Sequence, residues 1–326
     1  MKVYIVGAGA VGTYLGGLLR GIGNEVTYAP RDLDAVVPVD ADLAIVTVKS
    51  YDTLSARDTL RRALRDPATT TIVTPQNGIG NEEILAEAFG RDAIVAAALT
   101  VPVARDETGT GVAAKRGGIA FAPVGANAHN WLLAAFAATG LPTTAVSDYR
   151  ALKWSKLALN IVANATCAIL DMPPERLVRE DEIFALEIRA LREVRATMKA
   201  LDITPIDLPR YPVRALLALA MLPMPAARVL LAGRIAGARG TKAPSLLLDL
   251  RSARHRTEVD VLNGAVARAA RDAGVAAPVN AALARILSDI AHLPQLWAKY
   301  RERPSTLAEE AAAESLRTPA AKGQRT

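Results

Sequence analysis

The chain has 326 residues, 51% apolar and 22% charged, with a formal net charge of +6. Such a length fits about two domains at roughly 100–200 residues each, and the balance is that of a globular protein with a large core. Aromatics at 4% and arginines scattered among acids exclude the clustered cations and stacking rings of a nucleic-acid binder.

The opening MKVYIV runs straight into glycines and reads as a strand rather than a leader. β-Branched runs then alternate with helical runs. Strands are expected over 3–6, 25–28, 43–48, 70–74, 94–100 and 118–122, and helices over 11–21, 53–64, 82–88 and 130–138. Asn81, ahead of Glu82 and Glu83, reads as an N-cap. Strands alternating with helices imply a mostly parallel sheet.

After residue 147 the strand signals stop. Helical periodicity covers 149–170, 180–201, 211–221, 226–236, 257–273 and 279–291, punctuated by prolines. The expected organisation is an α/β Rossmann-type domain over 1–147, an all-helical domain over 148–305, and a tail over 306–326. That tail starts as a helix and ends in ten residues of disordered composition. The most apolar stretch, 215–227, is interrupted by Pro223 and Pro225 and is shorter than the ~18 residues of a membrane span, so no membrane partner is expected. The lone Cys167 leaves no internal disulfide and points to a reducing cytoplasm. His129, His255 and His292 lack metal-ligand spacing, and no metal is expected.

Residues 5–12, IVGAGAVG, carry Gly7, Gly9 and Gly12 in the G-x-G-x-x-G spacing, after a strand and at the start of a helix. Gly7 serves the tight turn, Gly9 the approach of a pyrophosphate, and Gly12 close packing of helix on sheet. Ala8, Ala10 and Val11 complete the loop, whose N–H groups favour an anion. The second strand ends Tyr28-Ala29-Pro30-Arg31, with Asp32 one residue beyond. No acid stands at the tip for a ribose hydroxyl, whereas Arg31 suits a 2′-phosphate, so the expected cofactor is NADP(H) rather than NAD. The bland alternative for Arg31 is a solvated loop charge. Ligands of open α/β sheets lie outside the carboxyl ends of the strands. There the third strand delivers Lys49 and the fourth delivers Gln76, Asn77 and Gly78.

In LKWSKLALNIVAN (152–164), Lys156, Asn160 and Asn164 recur every fourth residue and share an arc of about 80° on an apolar helix. This stripe suggests a lined cleft. Lys153 falls in the same arc, so spacing alone does not choose between the lysines.

GAGAVG, VKSYDT, QNGIGNEE, KLALNIVAN, PSLLLDL and TEVDVLNGAVARAARDAGVAAPVN occur in this order along the chain. With these motifs the chain resembles the ketopantoate reductase (2-dehydropantoate 2-reductase) family to about residue 292. The resemblance implies a Rossmann domain followed by a helical domain, with NADPH reducing a small 2-oxo acid. It implies Lys156 as the proton donor, Asn160 and Asn164 as substrate contacts, Glu258 at the substrate hydroxyl, and Ser245 near its carboxylate. Lys49 and Asn77 match contacts on the cofactor and substrate side. Lys153 would be a neighbouring cation able to tune Lys156. The alternative is a paralogue acting on another 2-oxo acid or ketone, with a non-catalytic NADP-binding protein behind it. A homodimer through the helical domain is the expected assembly. One departure stands out: between Arg31 and Asp42 the chain lacks some thirty residues usual in the family, thinning the wall beside the adenosine.

Overall fold

Short runs of valine, isoleucine, alanine and threonine make the strands, because such side chains pack on a pleated surface buried on both faces. The computed structural model describes residues 1–113, 117–127, 129–237, 243–252 and 255–317. It divides into two compact units, Met1–Lys156 with Ile206–Tyr211, and Leu157–Pro205 with Pro212–Thr326. The compact units therefore part after Lys156, inside a helix, a little beyond the boundary expected at 147.

The first unit contains β1 (Lys2–Val6), β2 (Glu25–Tyr28), β3 (Leu43–Val46), β4 (Thr71–Thr74), β5 (Ile94–Leu99), β6 (Val103–Arg105), β7 (Gly111–Ala113), β8 (Ile119–Pro123) and β9 (Thr143–Ala145). Its helices are α1 (Ala10–Gly21), α2 (Thr53–Ala63), α3 (Asn81–Phe89), α4 (Asn130–Ala137) and the first part of α5 (Tyr149–Ile161). A seven-stranded sheet runs β2-β1-β3-β4-β5-β8-β9, parallel except for the β5–β8 pair. Ile5, Leu15, Leu19, Ile45, Val73, Val95 and Phe136 fill one continuous core over it. The sequence reading missed β9 and the separate β6–β7 hairpin. Residues 206–211 join this unit through Ser155, whose hydroxyl accepts from Ile206 N at 2.9 Å, and Thr100, whose hydroxyl donates to Pro209 O at 2.9 Å.

β2 is the edge strand. The short connection after it makes a 3-10 turn (Leu33–Ala35) and then pairs with the end of α2: Val39 N donates to Ala63 O at 2.7 Å, and Arg65 N to Val39 O at 3.1 Å. β2 thus remains at the edge, where the classic six-stranded Rossmann order places one more strand beyond it.

The second unit takes the end of α5, then α6 (Ala165–Leu170), α7 (Pro174–Leu177), α8 (Asp181–Ala200), α9 (Val213–Ala220), α10 (Met224–Gly237), α11 (Ser245–Arg251), α12 (Asn263–Asp272), α13 (Pro278–His292), α14 (Trp297–Tyr300) and α15 (Pro304–Arg317). Among the described residues it holds no strand. Two expected helices are broken. The one over 149–170 stops at Ile161, and Ala163 turns left-handed at φ 48° before α6 begins. The one over 257–273 begins as a 3-10 turn, Glu258–Val261, ahead of α12. α15 packs its buried Leu307 and Ala311 into the unit, so the start of the tail is part of the fold; its last residues, from 318, lie outside the described ones. Among the described residues, no helix is long and apolar enough to cross a membrane.

Glu193 on α8 receives the first-turn N–H groups of α13, from Val279 and Asn280, at 2.9 Å each, and the Asn280 amide at 2.7 Å. A helix start so capped needs no side chain of its own. Burial pushes the Glu193 carboxyl up to about 7, the three donors pulling the other way. Its folded value thus exceeds the unfolded one of about 4.3, and between these the folded state binds more protons. Stability from this group is fully present near the lower value and is lost as pH rises through about 7. The unfolding midpoint should therefore drop between about pH 5 and about pH 7.5. In Glu193→Gln the drop should be shallower, whatever its absolute midpoint; equal slopes by calorimetry refute the assignment.

Candidate active site

The glycine loop joins β1 to α1, and each glycine is required differently. Gly7 lies at φ 111°, and a Cβ there would sit 2.8 Å from Val48 N. A Cβ on Gly12 would collide with the Gly7 carbonyl and stand 2.6 Å from Thr47 Oγ1. A Cβ on Gly9 would meet nothing within 4 Å. The first and last glycines let strand and helix close up, while the middle one keeps an open face beside the helix start. No acidic residue occupies the first turn of α1, and Gly9 brings no capping side chain. The N–H groups of Ala10 and Val11 thus remain suited to an anion. This bare cradle fits the diphosphate of a dinucleotide.

At the tip of β2, Arg31 is exposed and pairs with no acid among the described residues. Asp32 has other work: its carboxylate accepts from Asp34 N at 3.0 Å and caps the 3-10 turn.

The loops after β3 and β4 are tied into one body. Gln76 is buried, its Nε2 donating to Val48 O at 3.0 Å and to Thr53 Oγ1 at 2.9 Å, while its Oε1 accepts from Thr74 at 2.9 Å. Its amide is therefore a strut between the loops. The Asn77 carbonyl accepts from Ser50 Oγ at 2.7 Å and Asn81 Nδ2 at 3.0 Å, which fixes the half-buried Asn77. Lys49, also half-buried, precedes the 3-10 turn Ser50–Asp52. Asn81 is not the N-cap expected: Gly80, at φ 107°, takes that position, and the buried Asn81 opens α3 while bonding Asn77 and Thr53.

The two lysines of α5 part company here. Lys153 is 3% exposed, with its Nζ 2.8 Å from Glu82 Oε1 (itself 1% exposed) and donating to Gln76 O at 2.5 Å. Burial is the main influence on Glu82 and raises its carboxyl, against the pull of Lys153. A paired charge tunes a neighbour far less than a bare one, so the expected role of Lys153 as a neighbouring cation is replaced by one in a closed ion pair. Lys156, one turn on, is half-buried.

In the second unit, Asn164 is buried, and its amide is used on both sides. Nδ2 donates to Asn160 O at 3.0 Å, and Oδ1 accepts from Leu246 N at 3.3 Å. It joins the end of α5 to the first turn of α11, where Ser245 is half-buried. Glu187 holds the break beside it: the carboxylate accepts from Ala163 N at 2.8 Å and Thr166 Oγ1 at 2.5 Å. Glu258 is buried at the head of its 3-10 turn, with Thr257 capping at 3.3 Å. Asn263 and Asn280 pair at 2.9 Å inside the unit, as fold-holding members of their motifs. The sequence reading missed Glu82, Glu187, Ser50 and Thr53 as site supports, since their partners lie far away along the chain.

Residues 28–125 match the family described as "Ketopantoate reductase PanE/ApbA", and residues 148–291 match "Ketopantoate reductase PanE/ApbA C terminal". The chain belongs to the ketopantoate reductase family. It is thereby an oxidoreductase. A 2-dehydropantoate 2-reductase of Halobacterium salinarum is 29% identical over 90% of this chain and 99% of its own. The solved PanE/ApbA family ketopantoate reductase of Ralstonia eutropha is 27% identical, with a TM-score of 0.73 over 92% of this chain and 99% of that one. D-mandelate dehydrogenase, solved with NADH and anilino(oxo)acetate, shares the fold at 18% identity and a TM-score of 0.73, covering 91% and 99% of the two chains.

Lys153→Met strands the Glu82 carboxylate and should cost about 3–5 kcal/mol in urea unfolding. Adding Glu82→Gln should return most of it; a single variant of near-normal stability sinks the buried-pair assignment. Glu187→Gln faces two donors with one acceptor fewer and should lose about 1–3 kcal/mol. Ala163→Gly in that background should recover about 1 kcal/mol, because glycine accepts a positive φ without strain.

Proposed function

We propose that this ketopantoate reductase family member reduces 2-dehydropantoate to pantoate with NADPH, in the synthesis of pantothenate and coenzyme A. The observation that carries the mechanism is the difference between the two lysines on α5: Lys153 is sealed against Glu82, and Lys156 is not so enclosed. NADPH, when bound, supplies the hydride. Lys156 is the group to deliver a proton to the carbonyl oxygen as negative charge develops there, a contribution of roughly 10²–10⁴-fold. Asn160 is assigned to substrate contact, Ser245 to the substrate carboxylate, and Glu258 to its hydroxyl. Asn164, expected at the substrate, is assigned to holding Asn160 and α11 in register, on the strength of its two bonds. Gly7 to Gly12 would hold the diphosphate, Arg31 the 2′-phosphate, and Lys49 and Asn77 the side nearer the substrate.

Under this reading the protein works in the cytoplasm on a small 2-oxo acid, without nucleic-acid or membrane partners. The homodimer through the helical unit is measured by light scattering, where the solution mass should be twice that of one chain.

The decisive assay follows NADPH consumption with ketopantoate and a panel of other 2-oxo acids. Turnover with ketopantoate is expected; turnover with another acid and none with ketopantoate moves the chain to a paralogous reductase. Lys156→Ala should lower kcat by about 10²–10⁴ with NADPH affinity retained. Near-normal kcat would overturn the proton-donor role. Arg31→Ala should weaken NADPH and leave NADH unchanged, whereas equal rates with both cofactors in the parent enzyme reject the 2′-phosphate assignment.

A further inference from the structure

Arg105 ends β6 and donates through Nη2 to the carbonyl of Ala8, in the middle of the glycine loop, at 2.6 Å. The β6–β7 hairpin is seated on α1 closely enough to hold it there. Gly111 N donates to Thr13 Oγ1 at 2.7 Å, and a Cβ on Gly111 would collide with the Ala10 carbonyl. Glycine at 111 is therefore what lets β7 lie against the first turn of α1. The hairpin turn is set by Asp106, whose carboxylate accepts from Thr108 N at 2.9 Å, Thr108 Oγ1 at 2.7 Å and Thr110 N at 2.9 Å. That acid is directed into its own turn, and the adjacent Arg105 pairs with no carboxylate among the described residues.

We propose that Arg105 is a cofactor-binding residue that grips the diphosphate bridge of the dinucleotide from the hairpin side. The proposal rests on the dinucleotide reading of the glycine loop. A guanidinium has five N–H donors, of which the Ala8 carbonyl engages Nη2. That bond sets the guanidinium beside a cradle whose own donors are backbone N–H groups without charge. A diphosphate brings negative charge that helix N–H groups alone offset in part, and a guanidinium meets phosphate oxygens in pairs. The connection between Arg31 and Asp42 is short and adds no strand beyond β2, so a cation on the hairpin is well placed to compensate. Arg105 and Arg31 then divide the cofactor: the diphosphate is common to NADPH and NADH, and the 2′-phosphate belongs to NADPH alone.

Equilibrium titration of the full-length chain with NADPH and with NADH, read by nicotinamide fluorescence and calorimetry, tests this without turnover. Arg105→Ala should raise both dissociation constants by about ten- to a hundredfold, the size of a lost charged hydrogen bond, with their ratio unchanged. Arg105→Gln keeps a donor for the Ala8 carbonyl and loses the charge; it should bind as weakly as the alanine variant, with an unfolding midpoint like the parent's. Parent-like affinity in Arg105→Gln overturns the proposal, and so does a loss confined to NADPH, which would put Arg105 at the 2′-phosphate. If the parent binds neither dinucleotide, the reading of the glycine loop fails first and this proposal with it. If the parent binds and both variants match it, this proposal alone fails.

Discussion

A lysine and a glutamate with almost no exposed surface, 2.8 Å apart, hold the working parts of the first unit together. Taking two charges from water costs several kcal/mol per ion, repaid only where geometry and further hydrogen bonds are good. Here the further bond goes to the backbone carbonyl of Gln76, so the ammonium serves the acid and the loop at once. The consequence is positional. Glu82 lies in the first turn of α3, Gln76 precedes Asn77, and Lys153 stands one turn before Lys156. Helix α5 cannot slide against the Asn77 loop without leaving a charge unpaired in the core. From that anchor the bonds of Gln76 and Asn77 pass to Val48, Ser50 and Thr53, which flank Lys49. Loops from separate strands are thereby fixed relative to one lysine.

The second unit solves a similar problem with a carboxylate and amides. A helix that stops without glycine or proline leaves backbone groups to be satisfied. Glu187 meets the N–H of the left-handed Ala163, and Asn164 meets the Asn160 carbonyl and the N–H of Leu246. A non-glycine residue at positive φ costs on the order of 1–2 kcal/mol and persists where its surroundings over-determine it. The break therefore fixes the direction in which Asn160 leaves α5 and ties it to the helix that Ser245 opens.

Much of this was legible in the sequence, and the gaps have physical causes. β1 to β5 and β8 stood out because each is at least four residues long and carries two or more large or β-branched residues. β6, β7 and β9 did not, being three residues each and partly exposed, too short for any periodicity to register. The break after α5 was invisible because Asn164 reads as one more member of a fourfold stripe; only the bonds of Ala163 to Glu187 on α8 and of Asn164 to Leu246 on α11 show that the stripe ends in a corner. For the same reason spacing could not separate Lys153 from Lys156. What distinguishes them is Glu82, which local pattern presented as an ordinary acid in the first turn of a helix.

The short connection after β2 shows how one change in length is absorbed. Without a strand beyond it, β2 stays at the edge, and the chain turns back at once to pair Val39 with the end of α2. Asp32, which could have repelled a phosphate beside Arg31, is drawn into capping that turn. The turn so made holds Asp32 on Asp34 N and Asp34 on Arg62 at 3.1 Å, and it leaves Arg31 exposed at its start. The glycine loop leaves β1 at the same carboxyl end of this parallel strand pair and keeps its shape, because Gly7 and Gly12 are fixed by contacts with Thr47, Val48 and each other. In the proposed function, binding strength at the diphosphate and selectivity at the ribose are therefore assigned to different parts of the fold, and a short connection after β2 leaves the glycine loop undisturbed.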